Sequence, residues 1–199
     1  MSLISDLYKI NKKDIKKAAN VLANAFPEDP KWEKVFEKED QFRLMSELIV
    51  KFCRKYGNVF SPSDNLEGVM AITSHDKDMT FWRIIRSGAF FLSMKLASVF
   101  KKMAQTSKLI EEEKKNLDIG PYIYLMIIGV AQEFQGKGFG GKLLRALMEK
   151  ADIERKSIYL ETQAEGNVPL YEKYGFYVHK KINLPDLNIP MWLMIRNAK

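Results

Sequence analysis

Hydrophobic residues recur at helical spacing in two stretches near the start of the chain. The first follows Asn11 and Asp14, whose three-residue spacing resembles a capping box, and we expect it to end at Pro27. Its apolar positions are Ile15, Ala18, Ala19, Leu22, Ala23 and Phe26. The second ends at Gly57, with apolar positions at Met45, Leu48, Ile49, Phe52, Cys53 and Tyr56. Both patterns predict amphipathic helices.

Shorter apolar runs predict the strands of a sheet. Residues 57–61 and 68–73 are expected to form a hairpin, because residues 61–65 between them are rich in Ser, Pro, Asp and Asn. Residues 122–130 are almost entirely apolar, as a central strand buried on both faces would be. Further strands are predicted at 157–161, 176–181 and 191–196, and a short helix at 167–174 is expected to stop at Gly175.

A long aromatic and basic segment separates the hairpin from the central strand. Residues 78–116 predict one or two helices, closed by a run of Glu and Lys. We expect Tyr122, Tyr124 and the large side chains between Phe81 and Met103 to lie in the core or to line a pocket for a substrate, with the core favoured for most of them.

Composition narrows the class of protein. The 199 residues, 46% of them apolar and 29% charged, predict a single folded domain spanning 1–199. One cysteine, Cys53, and two histidines exclude a disulfide scaffold and a structural zinc site.

No signal-peptide pattern and no apolar run near the ~18 residues of a membrane span are present, so we expect a cytoplasmic protein. The net charge of +7 suits a polyanionic partner, such as a phosphorylated cofactor, a nucleic acid or an anionic surface.

The most informative segment is a glycine-rich loop at residues 135–142, placed between the apolar strand and an amphipathic helix. Glycines let the backbone approach an anion, and free N–H groups at a helix start face it. A Walker A loop is excluded, because Leu143 stands where a Mg²⁺-binding Ser or Thr is required. A dinucleotide fingerprint fits Gly136, Gly138 and Gly141, but only 58 residues follow Gly141. That length is short for a doubly wound sheet, so a dinucleotide site is a minor alternative.

The same loop also fits Q-x-x-G-x-G, through Gln135, Gly138 and Gly140. One helix and one strand later comes the segment Asn167-x-x-Leu170-Tyr171-Glu172-Lys173-x-Gly175-Phe176. Together these segments resemble the GNAT superfamily of N-acetyltransferases over residues 120–180. Leu160-Glu161-Thr162 is also similar to the antibiotic branch that includes the puromycin enzymes. The chain departs from the family at Gln132, where proline is frequent, and in the length of residues 78–116.

The resemblance implies an α/β (α+β) fold: a mixed, mostly antiparallel central sheet flanked by helices, with residues 78–116 as an extra helical insert between the third and fourth strands. It implies acetyl-CoA as cosubstrate, bound by residues 120–180 without a metal. The diphosphate would lie on the backbone of Gln135, Gly136, Lys137, Gly138, Phe139, Gly140 and Gly141. The pantetheine arm would pair with Ile128, Gly129 and Val130.

Other side chains have two interpretations each. Asn167 would bind the cofactor arm or cap a helix, and both roles are compatible. Lys137 and Lys142 would contact phosphates or would be solvated. Tyr171 matches the family's general acid, which protonates the departing thiolate next to the bound cofactor, although it could also be a core tyrosine.

Acetyl transfer to an amine also needs a base. Glu161 lies at the end of a strand beside the expected cleft and is our candidate, directly or through water; an ion pair or a capping role is the alternative. His75 is a second candidate, because histidine titrates in the right range.

We therefore expect an acetyl-CoA-dependent N-acetyltransferase that works by direct attack of a primary amine. A non-catalytic CoA-binding or scaffold domain is the alternative, and a nucleic-acid or membrane-surface protein is a further one, suggested by the charge and by residues 81–103. The acceptor would be a small-molecule or peptide amine, with no nucleic acid expected as partner. The protein would be a monomer or a homodimer.

Overall fold

The computed structural model describes residues 3–26, 35, 36, 38, 40–185 and 187–199. These residues form a mixed sheet in the order β1-β2-β3-β4-β5-β7-β6. The strands are β1 (Tyr8–Lys9), β2 (Gly57–Ser61), β3 (Gly68–Ser74), β4 (Tyr122–Val130), β5 (Ser157–Thr162), β6 (Tyr177–Leu184) and β7 (Ile189–Arg196). Every neighbouring pair is antiparallel except β4 and β5, which run parallel.

Helices cover both faces of this sheet. They are α1 (Ile15–Ala25), α2 (Gln41–Tyr56), α3 (Phe81–Arg86), α4 (Phe90–Lys95), α5 (Ala97–Lys102), α6 (Ala104–Lys115), α7 (Phe139–Ile153) and α8 (Asn167–Glu172). Short 3-10 helices lie at Leu3–Asp6, Lys12–Asp14 and Gln132–Phe134. The predicted fold class is confirmed. The dinucleotide alternative is wrong, because a doubly wound sheet needs several parallel strand pairs and the described residues form one.

The local signals at the first two helices are confirmed. The Asn11 side chain accepts a hydrogen bond from the amide of Lys13, while the Asn11 amide donates to Asp14, which completes the capping box at a 3-10 turn before α1. The predicted stop at Pro27 lies outside the described residues. Helix α2 ends where expected, and Gly57 already belongs to β2. A Cβ at Gly57 would stand 2.0 Å from the carbonyl oxygen of Ile72, so this close approach of two strands requires glycine.

The insert differs from its prediction of one or two helices: it forms four, α3 to α6. Gly88 adopts a φ of +77° after α3, and the chain leaves helical geometry again at Leu96 and Met103. The expectation that most of its large side chains are buried is also wrong in part. Four of these side chains are buried: Ile84, Leu92, Leu96 and Val99. Five large hydrophobic side chains are exposed: Phe81, Trp82, Phe90, Phe91 and Met94. Short helices bury one side only, so their outer sides face solvent.

Side-chain alternation along β5 divides the core between two layers. Ile158 and Leu160 pack in a cluster with Leu143 and Leu147 of α7. Tyr159, between them in sequence, faces the other side, where it packs with the α2 and insert residues. One face of β5 is therefore covered by α7 and α8, and the other by α2 and the insert.

The remaining boundaries differ modestly from the predictions. The last two strands are longer than the apolar runs that suggested them, because β6 and β7 stay paired, across a register shift between Val178 and Lys180, as far as Leu184 and Ile189. Helix α8 ends at Glu172, two residues before the predicted end. Strand β1, only two residues long, was not predicted, since a period-2 pattern needs more positions.

Candidate active site

Strands β4 and β5 separate in the middle of the sheet. They pair at Tyr122 with Ser157, at Ile123 with Ile158 and at Tyr124 with Tyr159, and at no later position in the described residues. Strand β4 nevertheless continues to Val130, still paired with β3 on its other side. From residue 125 onward, the edge of β4 that faces β5 therefore has no strand partner in the described residues, so an extended ligand could pair with it.

A bulge lies within this free portion of β4. Leu125 pairs with Ile72 and Ile127 pairs with Ala71, so Met126 is an extra residue with no partner in β3. Bulges bend a strand and increase its twist. The bend therefore occurs where β4 leaves β5, and we name the resulting opening the split.

The glycine loop follows at the end of β4. In the described part of the chain, the amides of residues 136–141 donate to no backbone carbonyl, and the first helical bond runs from Lys142 to Gly138. Gly136 and Gly138 have φ angles of +74° and +85°, which an L side chain adopts at a cost. Six consecutive free donors at the start of the 15-residue helix α7 form a cradle that fits an anion such as a diphosphate.

Gln135 holds this loop in place. Its side-chain amide donates to the carbonyls of Val130, at 3.0 Å, and Ala25, at 3.1 Å. Its backbone amide donates to Gln132, so the free donors begin at Gly136 rather than at Gln135. The Gln135 side chain thus joins the loop to β4 and α1.

The two lysines of the loop differ. Nζ of Lys142 donates to the carbonyl of Pro62 at 2.9 Å and so binds α7 to the β2–β3 turn. Lys137 is exposed beside the free amides, and its Nζ lies 5.4 Å from the centre of the Phe134 ring. Of the two, Lys137 has its charge available to a bound anion.

Asn167 joins α8 to the end of β5. It is the first residue of α8, which has Gly166 at its N-cap, and its Nδ2 donates to the hydroxyl of Thr162 at 3.2 Å. The predicted cap position is therefore one residue too late. The side chain fixes the start of α8 relative to β5, on which Glu161 lies.

Glu161 occupies the apex of the split. Its Oε2 accepts a hydrogen bond from the Tyr124 hydroxyl at 2.6 Å. Its Oε1 and the hydroxyl of Tyr159 are both buried, and neither has a hydrogen-bond partner in the described part of the chain. Burial raises the pKa of Glu161, and the hydrogen bond from Tyr124 opposes that rise. The site therefore has a carboxyl group with a raised pKa, one oxygen of which has no hydrogen-bond partner in the described residues.

Two residues that lie near this carboxyl were not among the catalytic residues predicted from the sequence. Tyr124 was expected only to line a pocket or the core, yet it donates the hydrogen bond to Glu161. Its pKa is raised well above the ordinary value, chiefly by burial and secondly by the negative charge of Glu161. Lys114 of α6 places its Nζ 4.7 Å from the centre of the Tyr124 ring. Nothing in the spacing of the lysine-rich α6 distinguishes Lys114 from its neighbours.

The second base candidate lies elsewhere. His75 is exposed, its amide donates to the carbonyl of Tyr122 at 3.2 Å, and its ring centre lies 5.5 Å from that of Tyr122. Tyr122 belongs to the paired, closed part of β4 and β5. The structure thus brings Tyr124 to Glu161 and leaves His75 at the closed end of the split.

Tyr171 lies on the other face of β5 from Glu161. Its side chain is 8% exposed, packs against Phe176 at 5.6 Å between ring centres, and shares a cluster with Ile158 and Leu160. Burial raises the pKa of Tyr171 to about 12. A phenol with that pKa keeps its proton at neutral pH and can donate it.

The described residues contain no group of three or more His, Cys, Asp or Glu side chains placed to hold a metal ion. None of the described helices is long and apolar enough to cross a membrane.

The chain is similar to known proteins over most of its length. Residues 106–178 match the model of the acetyltransferase (GNAT) domain. An uncharacterised N-acetyltransferase of Schizosaccharomyces pombe is 30% identical over 205 aligned positions, which cover 96% of this chain and 83% of the relative.

Solved structures share the fold. The chain superposes on a histone acetyltransferase HPA2 and related acetyltransferase from Corynebacterium glutamicum with a TM-score of 0.68 and 22% identity, covering 97% and 96% of the two chains. Naa50 of Arabidopsis thaliana gives a TM-score of 0.52 and 13% identity over 96% and 97% of the chains. These matches show the fold. The family model and the Schizosaccharomyces pombe relative show that the chain belongs to the GNAT superfamily of N-acetyltransferases.

Proposed function

We propose that this protein transfers an acetyl group from acetyl-CoA to a primary amine by direct attack, with Glu161 as general base and Tyr171 as general acid. The observation that carries the proposal is the free edge of β4 leading directly into the unpaired amides of residues 136–141. An extended polar arm ending in a diphosphate matches that succession of donors.

The residues present fit acetyl-CoA. Ile128, Gly129 and Val130 would pair with the pantetheine arm, and Gly136 to Gly141 would hold the diphosphate, with Lys137 as an additional cation. Asn167 would support the arm from the start of α8. The solved Arabidopsis relative is in complex with the bisubstrate analogue CoA-Ac-MVNAL, which is consistent with this assignment.

Glu161 addresses the first chemical requirement, a neutral nucleophile. A lysine-like amine with a pKa of ~10.4 is mostly protonated at pH 7, and removing its proton costs about 4.6 kcal/mol. Glu161 would take that proton on Oε1, the oxygen that Tyr124 leaves free. Because burial raises its pKa, Glu161 is a stronger base than an exposed carboxylate.

Tyr171 addresses the second requirement, a proton for the leaving group. Acetyl-CoA supplies an activated acyl thioester, whose thiol leaving group has a pKa near 8.5. As the bond from nitrogen to the acyl carbon forms and the carbon–sulfur bond breaks, Tyr171 would donate its phenolic proton to the sulfur. We propose a small-molecule or peptide amine as the acceptor.

Two measurements test the proposal. Calorimetry with acetyl-CoA at physiological salt is expected to show saturable binding, and NADH serves as the control ligand. Thiol release is then measured against a panel of polyamines, arylalkylamines, aminoglycosides and peptide N-termini, and we expect turnover with one class. Absence of acetyl-CoA binding contradicts the proposal, and binding without thiol release across the panel favours a non-catalytic CoA-binding domain.

A further inference from the structure

We propose that Lys114, contributed by the helical insert, is a positioning residue for Glu161: it holds the Tyr124 ring in place and supplies the positive charge that keeps the Glu161 carboxylate ready to accept a proton. This inference rests on the proposed role of Glu161 as base. It also assigns a role to residues 78–116, whose length departs from the family pattern.

Two successive contacts connect the insert to the carboxylate. Nζ of Lys114 lies 4.7 Å from the centre of the Tyr124 ring, and the hydroxyl of that ring donates to Glu161 at 2.6 Å. An ammonium group over an aromatic ring is attracted by the electrons of its face, more strongly when water is excluded. The Lys114 side chain is 14% exposed, so this attraction is only weakly screened.

Ion pairs fix Lys114 in this position. Its Nζ contacts Oδ1 of Asp78 at 3.1 Å, and Asp78 lies at the opposite end of the insert, just before α3. The neighbouring Glu113 pairs with Lys180 of β6 at 2.7 Å. The two ends of the insert are thus joined beside β4, and α6 is also attached to the sheet.

Lys114 is the cation that acts on Glu161 within the described residues. The other titratable groups that face the carboxyl are the phenols of Tyr122, Tyr124 and Tyr159, with Cys53 beyond Tyr124 and Asp78 beyond Lys114. A positive charge favours an ionised carboxylate, so Lys114 lowers the pKa of Glu161 against the rise that burial causes. Without Lys114, more of Glu161 would be protonated at neutral pH and unable to act as base.

The test measures Glu161 directly in the protein without cosubstrate. The carboxyl carbon of Glu161 is assigned by ¹³C NMR as the resonance lost in Glu161→Gln, and its titration is followed in wild type and in Lys114→Met. We expect the midpoint of Lys114→Met to move to higher pH and Lys114→Arg to restore it. Lys108→Met is the matched control, because Lys108 lies on the same helix with its side chain 79% exposed.

Activity provides the second measurement. In Lys114→Met, the acidic limb of the kcat/KM profile is expected to move to higher pH with the NMR midpoint, giving a several-fold loss at pH 6 and a smaller loss at high pH. An unchanged Glu161 midpoint in folded Lys114→Met overturns the inference. A moved midpoint in a protein that acetylates no amine supports the contact and contradicts the proposed function instead.

A second variant keeps the inference testable if Lys114→Met does not fold. Asp78→Asn removes the anion that partly neutralises Lys114. Asparagine keeps an oxygen that accepts a hydrogen bond from Lys114, so Lys114 stays in place. Because its charge then acts on Glu161 without compensation, the carboxyl midpoint is expected to move to lower pH. A midpoint that stays at the wild-type value in Asp78→Asn counts against the inference.

Discussion

Tyr124 donates a 2.6 Å hydrogen bond to Glu161 at the point where β4 and β5 separate. Tyr124 is the last residue of β4 that pairs with β5, and Glu161 lies two positions beyond its pairing partner Tyr159. The bond thus spans the apex of the split, from one strand to the other. It leaves one carboxylate oxygen free on the side of the sheet covered by the insert.

Replacing Glu161 by glutamine tests the base. An amide cannot accept the amine proton, so kcat/KM for the acceptor is expected to fall by about 10²-fold. In the wild type, kcat/KM should rise with pH above the range in which an ordinary carboxyl group titrates, because burial raises the pKa of Glu161. This rise should be absent in Glu161→Gln. Glu165→Gln, at an exposed position in the following turn, is the control. A wild-type rate in Glu161→Gln would remove the assignment.

Gly138→Ala tests the anion cradle. Gly138 has a φ of +85° and open space around it, so a methyl group strains the backbone by about 1–2 kcal/mol without a clash. A loop that relaxes this strain no longer presents its amides together, and we expect KM for acetyl-CoA to rise about fivefold or more. Gly88→Ala carries a matched strain at a φ of +77° within the insert. Equal effects of the two variants on KM would show that the loop has no special role.

Tyr171→Phe tests the acid. The ring remains, so packing against Phe176 and the melting temperature are expected to change little. Loss of the phenolic proton should lower kcat by about 10²-fold and leave KM for acetyl-CoA nearly unchanged, provided that the chemical step limits the rate. Tyr177→Phe removes a hydroxyl from an exposed tyrosine as the control. If Tyr171→Phe retains wild-type kcat, the leaving group obtains its proton elsewhere.

Asp152→Asn tests the ion pair that fixes the C-terminal strand. Arg196 is buried, and its two terminal guanidinium nitrogens donate to the two carboxylate oxygens of Asp152, at 2.9 and 2.8 Å. Leaving that buried cation without its partner is expected to reduce the free energy of unfolding by about 3 kcal/mol at pH 7, measured by urea denaturation. Asp118→Asn, at an exposed position, should change it little.

The pH dependence of that loss has a definite sign. The hydrogen bond from Arg196 is the largest cause that lowers the pKa of Asp152 below its value in the unfolded chain. The stabilisation is therefore present above the unfolded pKa of ~3.9 and disappears as the pH falls through the folded value. The stability difference between wild type and Asp152→Asn should shrink in that acidic range, and a difference that grows there would contradict the assignment.

Features that depend on a few adjacent residues were predictable. The Asn11 capping box, the apolar run of β4 and the glycine loop before α7 all appear where the pattern predicts them. The four helices of the insert were not predictable, because hydrophobic periodicity continues through 81–103 while the backbone breaks at single residues. The exposure of Trp82, 65%, and Phe91, 77%, contradicts the usual burial of aromatic residues, so it too depends on the arrangement of neighbouring helices.

The sequence by itself determined the backbone features of the site: where the strand before the loop runs, where glycines permit left-handed φ angles and where α7 starts. Those depend on steric and hydrogen-bonding preferences of neighbouring residues. Only the tertiary structure decided where β4 leaves β5 and that Lys114, Tyr124 and Glu161 meet. Strand register and convergence of side chains from distant segments follow from the packing of the whole chain, which no local pattern contains.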